Sequence, residues 1–410
     1  MRFIYSLAIS LYYLGVFAAS PFNKKARLWL IGRKGVLNKI AETVDSSAPQ
    51  IWFHASSLGE FEQGRPVMEA IRKKHPGYKI LLTFFSPSGF EVRKNYQGAD
   101  YVFYLPLDTM ANAVKFTGIV RPAMVFFIKY EFWYHYLRVL YKREIPVYLI
   151  SAIFRKNQLF FRWYGRWYRK MLGYFNHIFV QDEESLNLLS AFNITHISKS
   201  GDTRFDRVAE IARQTKTIDI AEKFRNSQTV VICGSTWAKD EEMLVKYINN
   251  SGTGLKYIVA PHEIHETHIQ RIISGLKVPY VLFSDANHEN VADTQVLIIN
   301  NIGMLSSLYK YGDWAYIGGG FGAGIHNILE AATFNLPVVF GPNYQKFKEA
   351  VDLVETEGAF CIKDYNELSV IFSVLLYDKD KRERSGSMAG GYVIKNQGAT
   401  EKILAKIFTA

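Results

Sequence analysis

A glycine-rich run in the last third of the chain has the residue types that bind an anion. Five glycines, at positions 318, 319, 320, 322 and 324, follow a short apolar run. After them, Ile328, Leu329 and Ala332 predict a helix over residues 326–334, and another apolar run follows. A strand, a glycine loop and a helix in this order bring backbone N–H groups to a helix N-terminus, which binds phosphate. Tight turns in an α/β fold give the same pattern, so the loop alone leaves both interpretations open.

Polar side chains near this loop suit a nucleotide. Asn327 lies near the predicted helix start, where its N–H and side chain suit phosphate, and Glu330 can accept hydrogen bonds from ribose hydroxyls. Ser235 and Thr236 end an apolar run and can donate hydroxyls to phosphate. The pair Asn327 and Glu330 also has the spacing of a helix capping box, which needs no ligand.

Two glutamates and one arginine are candidates for transfer chemistry. Glu60 and Glu131 each follow an apolar, strand-like run, at the edge where open α/β sheets bind ligands. A glutamate there can act as a general base, or it can merely complement a helix dipole. Arg204 can hold a phosphate or carboxylate bidentately, or it can pair with Asp202 or Asp206.

The sequence predicts no metal site and no cofactor. His265 and His268 are three residues apart, whereas two helical histidine ligands normally lie four apart. Cationic side chains and backbone donors can replace a divalent ion at a phosphate, so we expect metal-independent chemistry.

Strand-like and helical stretches alternate from residue 50 onward, which predicts two doubly wound α/β domains. The polar stretch 206–228 is the expected linker between them. We therefore predict a membrane anchor at 1–22, a first domain at 23–205 and a second at 206–410, with a two-substrate cleft between the domains. The expected strands are 51–56, 80–85, 101–105, 124–128, 147–151, 178–180, 229–233, 257–260, 280–283, 296–299, 315–317 and 338–340.

The net charge of +11 indicates an anionic partner: nucleic acid, anionic lipid or a phosphorylated substrate. Residues 3–20 contain no charged side chain, and Lys24, Lys25 and Arg27 follow soon after. Positive charge after an apolar run favours an anchor whose body stays in the cytoplasm over a signal peptide or a core helix.

The stretch 155–170 interleaves six cations with six aromatic residues. This composition suits an anionic membrane interface, single-stranded nucleic acid, or a helix with one buried face. The neighbouring apolar segment favours the membrane.

Several motifs now occur in a single order along the chain. They are WFHASSLGE at 52–60, YEFW at 130–133, GDTRFD at 201–206, GSTW at 234–237, APH at 260–262, IGM at 302–304, HNILE at 326–330 and FGPN at 340–343. The chain resembles, over essentially its whole length, the 3-deoxy-D-manno-octulosonic acid (Kdo) transferases of lipopolysaccharide synthesis. The resemblance implies the GT-B fold, with two Rossmann-like domains facing across a cleft. It also implies inverting transfer of Kdo from CMP-Kdo to the lipid A precursor, at the cytoplasmic face of the inner membrane.

The resemblance also implies roles for individual residues. Glu60 would be the proton acceptor, Glu131 an acid that supports the transition state, and Arg204 a cation that stabilises the leaving phosphate. The implied substrate and nucleotide contacts are Ser235, Thr236, Pro261, His262, Ile302, Gly303, Met304, Asn327, Ile328, Leu329 and Glu330. The chain departs from the family pattern at Lys129, Arg204 and His262, where the family typically has Glu, Lys and Arg.

Two other functions fit parts of the pattern. The same fold can use a UDP- or GDP-sugar as donor. The net charge and the stretch 155–170 also fit a membrane-attached nucleic-acid-binding protein, although the resemblance predicts no nucleic acid partner.

Overall fold

The structure is a computed structural model that describes residues 2–408. It divides the chain into two compact units. One unit comprises the described residues up to Arg207 together with those from Gln397 onward, and the other is Val208–Asn396.

The first unit contains a seven-stranded parallel sheet. Its strands are β1 Gln50–Ala55, β2 Lys79–Phe84, β3 Tyr101–Tyr104, β4 Pro122–Ile128, β5 Val147–Ala152, β6 His177–Val180 and β7 Ile197–Lys199. Its helices are α1 Arg2–Ala19, α2 Lys24–Arg33, α3 Val36–Thr43, α4 Leu58–Lys74, α5 Pro87–Arg93, α6 Met110–Val120, α7 Tyr134–Lys142, α8 Arg166–Leu172, α9 Glu183–Ala191 and α10 Thr203–Arg213, the last of which ends in the second unit. The strand order is β3-β2-β1-β4-β5-β6-β7. All six residues of β1 are buried, as expected for a strand covered by helices on both faces.

The second unit repeats this architecture with a sheet ordered β10-β11-β9-β8-β12-β13-β14. Its strands are β8 Thr229–Thr236, β9 Leu255–Pro261, β10 Tyr280–Leu282, β11 Val296–Ile298, β12 Trp314–Ile317, β13 Val338–Phe340 and β14 Ala359–Cys361. Its helices are α11 Asp219–Arg225, α12 Ala238–Asn250, α13 Glu266–Gly275, α14 Leu305–Leu308, α15 Leu329–Ala332, α16 Lys348–Glu355, α17 Tyr365–Tyr377 and α18 Lys379–Asn396. The last helix, α19 Ala399–Phe408, belongs to the first unit.

The two doubly wound α/β units confirm the predicted fold class, and each predicted strand is present within two or three residues. The division of the chain differs from the predicted domains, because it falls inside α10 and returns residues 397–408 to the first unit. The carboxylate of Asp206 accepts hydrogen bonds from the backbone N–H groups of Gly398 and Thr400, which fixes the start of α19 beside α10. The expected linker 206–228 is largely helical, in α10 and α11.

Helix α1 lies along the first unit. The hydroxyl of Tyr5 donates to the buried carboxylate of Asp108 at 2.5 Å, and the Tyr12 ring contacts Trp29 and Phe85. The opposite side of α1 exposes large apolar side chains, namely Phe3, Ile4, Leu7, Leu11, Leu14 and Phe17. Within residues 2–408, α1 is the one helix that is long and apolar enough to cross a membrane.

Candidate active site

The first unit places both candidate glutamates at one point of its sheet. The chain leaves β1 for β2 on one side, and β4 pairs with β1 on the other side. The carboxyl ends of β1 and β4 therefore form the point where the strand order reverses, which is where such sheets bind ligands. Glu60 lies in the first turn of α4, after β1, and Glu131 lies three residues after β4.

The Glu60 carboxylate is half-buried and forms the capping box of α4. Its Oε2 accepts from the backbone N–H of Ser57 at 2.8 Å and from the Ser57 hydroxyl at 2.9 Å. Burial raises the pKa of Glu60, and the nearby charge of Glu131 raises it further, while Ser57 and Lys129 act in the opposite direction. A carboxylate whose pKa is raised in this way is a stronger base than an exposed glutamate.

Glu131 is buried in a network of rings. Its Oε2 lies 2.9 Å from Nε2 of His54 and accepts from Nε1 of Trp133 at 2.5 Å. His54 is on β1 and fully buried, and its Nδ1 contacts Thr83 on β2. His54 on β1 and Trp133 in the loop after β4 therefore hold the Glu131 carboxylate, whose charge acts on Glu60.

Two cations lie near this pair of acids. Lys129 has a left-handed backbone, with φ +68°. Burial lowers the pKa of Lys129, Arg204 lowers it further, and Glu60 raises it. Nε and Nη2 of Arg204 both contact Oδ2 of Asp202, at 2.8 Å and 2.7 Å, so the arginine forms the pair with Asp202 that the sequence left open. Its side chain remains 30% exposed.

The second unit has its own reversal point, between β8 and β12. The candidate residues Ser235 and Thr236 end β8, and the glycine run begins directly after β12. The backbones approach closely here, because a Cβ on Gly318 would lie 2.3 Å from the carbonyl oxygen of Ser235. Close packing thus explains part of the glycine pattern without a ligand.

Three rings stack next to the glycine loop. The centroids of Trp237 and His262 are 4.5 Å apart, and those of His262 and His326 are 4.4 Å apart. Nε1 of Trp237 donates to Nε2 of His326 at 2.9 Å. Burial lowers the pKa of His326, and His262 lowers it further. These stacked rings, with exposed edges at the end of β8, form a flat surface suited to a base or a sugar.

The buried carboxylate of Asp240 ties this region together. It accepts from the backbone N–H groups of Gly319 at 3.0 Å and Trp237 at 2.9 Å, and from the Tyr316 hydroxyl at 2.7 Å. One N–H of the glycine loop is therefore already paired within the protein.

The predicted helix over 326–334 is shorter than expected, since α15 has only four residues. Asn327 accepts from the N–H of Leu329 at 3.2 Å and donates to Glu330 at 3.0 Å, as a local cap does. A helix this short has little dipole, so phosphate binding here depends on individual backbone N–H groups and hydroxyls.

The remaining predicted contacts lie at strand ends of the same sheet or in the adjoining loop. Pro261 ends β9, and the N–H of His262 donates to the Thr236 carbonyl at 2.9 Å. Ile302 is exposed, and Gly303 has a φ of +94° in the loop before α14.

Sequence reasoning did not assign several side chains that the structure brings to these two points. They are His54, Lys129, Trp133, Trp237, Asp240 and His326. A signal existed for His54, which is a polar residue within the apolar run of β1. Within residues 2–408, no group of three or more His, Cys, Asp or Glu side chains is placed to hold a metal ion.

Comparison with known proteins shows what the chain is similar to. The family profile of 3-deoxy-D-manno-octulosonic acid transferases matches residues 31–207. The chain is 26% identical to the 3-deoxy-D-manno-octulosonic acid transferase of Aquifex aeolicus, over 86% of this chain and 94% of that protein. It is also 26% identical to the enzyme of the same name from Haemophilus influenzae, over 86% and 85% of the two chains.

Solved structures share the fold at low identity. The UDP-GlcNAc 2-epimerase of Methanocaldococcus jannaschii superposes with a TM-score of 0.54 at 15% identity, over 84% of this chain and 99% of that chain. MurG of Acinetobacter baumannii superposes with a TM-score of 0.54 at 12% identity, over 88% and 100%. These likenesses confirm the predicted GT-B fold. The family profile over residues 31–207 and the two relatives at 26% identity together support a Kdo transferase, which is a glycosyltransferase.

Proposed function

We propose that this enzyme transfers Kdo from CMP-Kdo to the lipid A precursor, with inversion at the anomeric carbon, at the cytoplasmic face of the inner membrane. The observation that carries the proposal is the half-buried Glu60 carboxylate beside Glu131, with its pKa raised. Similarity to Kdo transferases supports Kdo as the transferred sugar, and the network around Glu60 supplies a base.

Glu60 removes the proton from the acceptor's sugar hydroxyl. The acceptor oxygen then bonds to the anomeric carbon of Kdo, and the bond from that carbon to the phosphate oxygen breaks, so that CMP leaves with the electron pair. Glu131 supports the positive charge that develops on the sugar ring, and Arg204 offsets negative charge near the leaving phosphate.

In the second unit, the Ser235 hydroxyl at the end of β8 and the loop before α15 bind the nucleotide. The predicted Thr236 hydroxyl contact is corrected by the structure, because this hydroxyl is buried and donates to Glu241 at 3.0 Å, so Thr236 shapes the end of the strand beside the nucleotide. Residues proposed to line the nucleotide site are Ser235, Thr236, Pro261, His262, Ile302, Gly303, Met304, Asn327, Ile328, Leu329 and Glu330. Transfer needs no metal ion in this proposal, and excess EDTA should leave the rate unchanged.

The test measures transfer by the purified full chain from CMP-Kdo to a tetraacyl lipid A precursor. We expect Glu60→Gln to lower kcat by about 100-fold or more, since general base catalysis contributes that much. Glu62→Gln is the matched control, because Glu62 is two residues away and pairs with Arg65 and Arg93. Near-normal turnover by Glu60→Gln would show that Glu60 is not the general base.

Nucleotide competition tests the donor. CMP should displace a bound fluorescent cytidine nucleotide at lower concentration than UDP or GDP. Preference for UDP or GDP would instead indicate a different sugar donor. Tight RNA binding with a steep salt dependence and no nucleotide affinity would favour a nucleic-acid-binding protein.

A further inference from the structure

A fully buried histidine lies behind the two glutamates, and the proposed chemistry gives it no role. His54 is on β1, and both of its ring nitrogens have polar neighbours. The hydrogen bonds around the ring determine where its protons lie.

The Nδ1 atom of His54 carries a hydrogen. It lies 3.0 Å from the carbonyl oxygen of Thr83, which can only accept, and 2.8 Å from the Thr83 hydroxyl oxygen. That hydroxyl accepts from Nε1 of Trp52 at 2.7 Å and donates to the Phe53 carbonyl at 3.3 Å. Because the Thr83 carbonyl cannot donate, the hydrogen between it and Nδ1 belongs to His54, and the Thr83 hydroxyl can then direct its own hydrogen to Phe53.

The Nε2 atom of His54 also needs a hydrogen between it and Glu131. The indole N–H of Trp133 lies within 2.5 Å of Glu131 Oε2 and within 3.0 Å of His54 Nε2, and it has one hydrogen. The shorter contact assigns that hydrogen to Glu131. The 2.9 Å contact between Nε2 and Oε2 would then join two bare acceptors unless a further proton lies between them.

We propose that His54 is a positioning residue that shares one proton with Glu131, so that this buried pair carries no net charge beside Glu60. Because the pair is neutral, Glu131 can lie near Glu60 and repel its carboxylate less than an unpaired charge would. The inference deepens the proposed function and rests on Glu60 being the base.

Other ionisable groups face the pair from the elements packed around it. Asp108 precedes α6, and burial raises its pKa to about 6, while His54 acts to lower it. Lys129 and Arg204 lie on the Glu60 side. None of these occupies the contact between His54 and Glu131, so the pair is set by Thr83 and Trp133.

The proposal predicts a pattern of pH profiles that a merely structural histidine would not give. The acid limb is the part of the profile in which kcat/KM falls as the pH decreases and Glu60 becomes protonated. In His54→Gln, Glu131 keeps its charge without a cationic partner and raises the pKa of Glu60, so the acid limb should move up by about one pH unit. In Glu131→Gln, the histidine becomes neutral, so the limb should stay near its original position although the rate falls. The double variant should return the limb to that position.

The matched control is His177→Gln. His177 is a second histidine on the same sheet, and its Nε2 contacts the hydroxyl of Ser198. It should leave the limb unchanged. A limb that stays in place in His54→Gln, or that moves equally in Glu131→Gln, would overturn the proposal.

A measurement on the unaltered chain covers the case in which His54→Gln does not fold. Protein labelled with ¹⁵N-histidine should show one ring with both nitrogens protonated at pH 8, and that resonance should shift in Trp133→Phe. A His54 ring that has one bare nitrogen at pH 8 would overturn the shared proton. This spectrum needs no substrate, so it stands even if the donor or acceptor is misassigned, and loss of Kdo transfer alone would reject only the proposed function.

Discussion

Glu60 combines a structural role, as the cap of α4, with a proposed catalytic role, and its position in the sequence alone does not distinguish the two. Its carboxylate caps α4 through Ser57, as an ordinary helix-start acid does, and its half-buried place beside Glu131 raises its pKa. Only one oxygen of the carboxylate is used by the cap in the hydrogen bonds observed. The structural and catalytic interpretations are therefore compatible, and pH dependence can test the second.

We predict that kcat/KM falls as the pH decreases through a value above the ordinary glutamate pKa of about 4.3. The sign follows because protonated Glu60 cannot accept a proton, and burial favours that form. Lys129→Met should move this acid limb to higher pH, because Lys129 lowers the pKa of Glu60.

The control for this prediction is Lys199→Met. Lys199 is an exposed lysine that pairs with Glu183 in the same unit, so its loss should not move the limb. A limb that moves to lower pH in Lys129→Met would show that another group sets it.

Residue types and motif order nominate Glu60, Glu131 and Arg204 as candidates, and their roles stay predictions. The partners of those residues could not be predicted, because they come from strands far apart in sequence. Trp133 and Thr83 contact His54 only because β2, β1 and β4 are adjacent in the sheet. Similarly, Asp240 meets Gly319 across 79 residues of sequence, and no local pattern indicates that contact.

At the scale of elements, apolar runs identified most strands, since parallel strands buried on both faces are continuously apolar. The two strands that were missed, β7 and β14, have three residues each and end the strand order of their sheets. The helix expected over 326–334 is only the four residues of α15. Asn327 accepts from the backbone N–H of Leu329 and so caps the helix there, and the residues before Asn327 belong to the glycine turns.

The glycine loop gives a prediction at this scale. A Cβ on Gly318 would lie 2.3 Å from the Ser235 carbonyl oxygen and 2.6 Å from Thr236 Cα. Both are backbone atoms and cannot rotate away, so the loop must shift from the end of β8. We expect Gly318→Ala to weaken CMP binding about 10-fold or more, since small displacements of a binding element are costly.

Gly322→Ala is the matched control, because its Cβ would meet nothing closer than a carbonyl oxygen at 3.6 Å. Both variants are measured by calorimetry with CMP, and circular dichroism checks that each is folded. Equal losses of affinity in the two variants would show that the loop's contact with β8 does not position the nucleotide.

At the scale of the whole molecule, the chain combines a net charge of +11 with an exposed apolar helix. One side of α1 packs on the first unit through Tyr5 and Tyr12, so this helix is part of the fold. The other side carries the exposed leucines Leu7, Leu11 and Leu14. Cations lie near the two ends of α1, including Arg2, Arg138 and Lys25. An apolar side flanked by cations suits a membrane that contains anionic lipid.

The stretch 155–170 packs against the first unit only in part. Phe160 is buried and Arg169 donates to its carbonyl, as expected of a packed segment. Trp163, in contrast, is 91% exposed, which suits an aromatic side chain at a membrane interface. Sequence composition could not distinguish these two residues, because burial depends on how the segment folds onto the sheet.

We therefore predict that the protein cosediments with vesicles containing phosphatidylglycerol and that the triple variant Leu7→Gln, Leu11→Gln, Leu14→Gln binds them roughly 100-fold more weakly. The estimate assigns about 1 kcal/mol to each leucine that leaves the lipid, which is below the value for full burial because these side chains only partly insert. The control replaces the exposed apolar residues Val370, Val374 and Ile394 by Gln, since they lie on helices of the second unit. Equal loss in both triples would show that general apolar exposure, and not the outer side of α1, binds the vesicles, and unchanged binding of the leucine variant would leave charge as the only attraction.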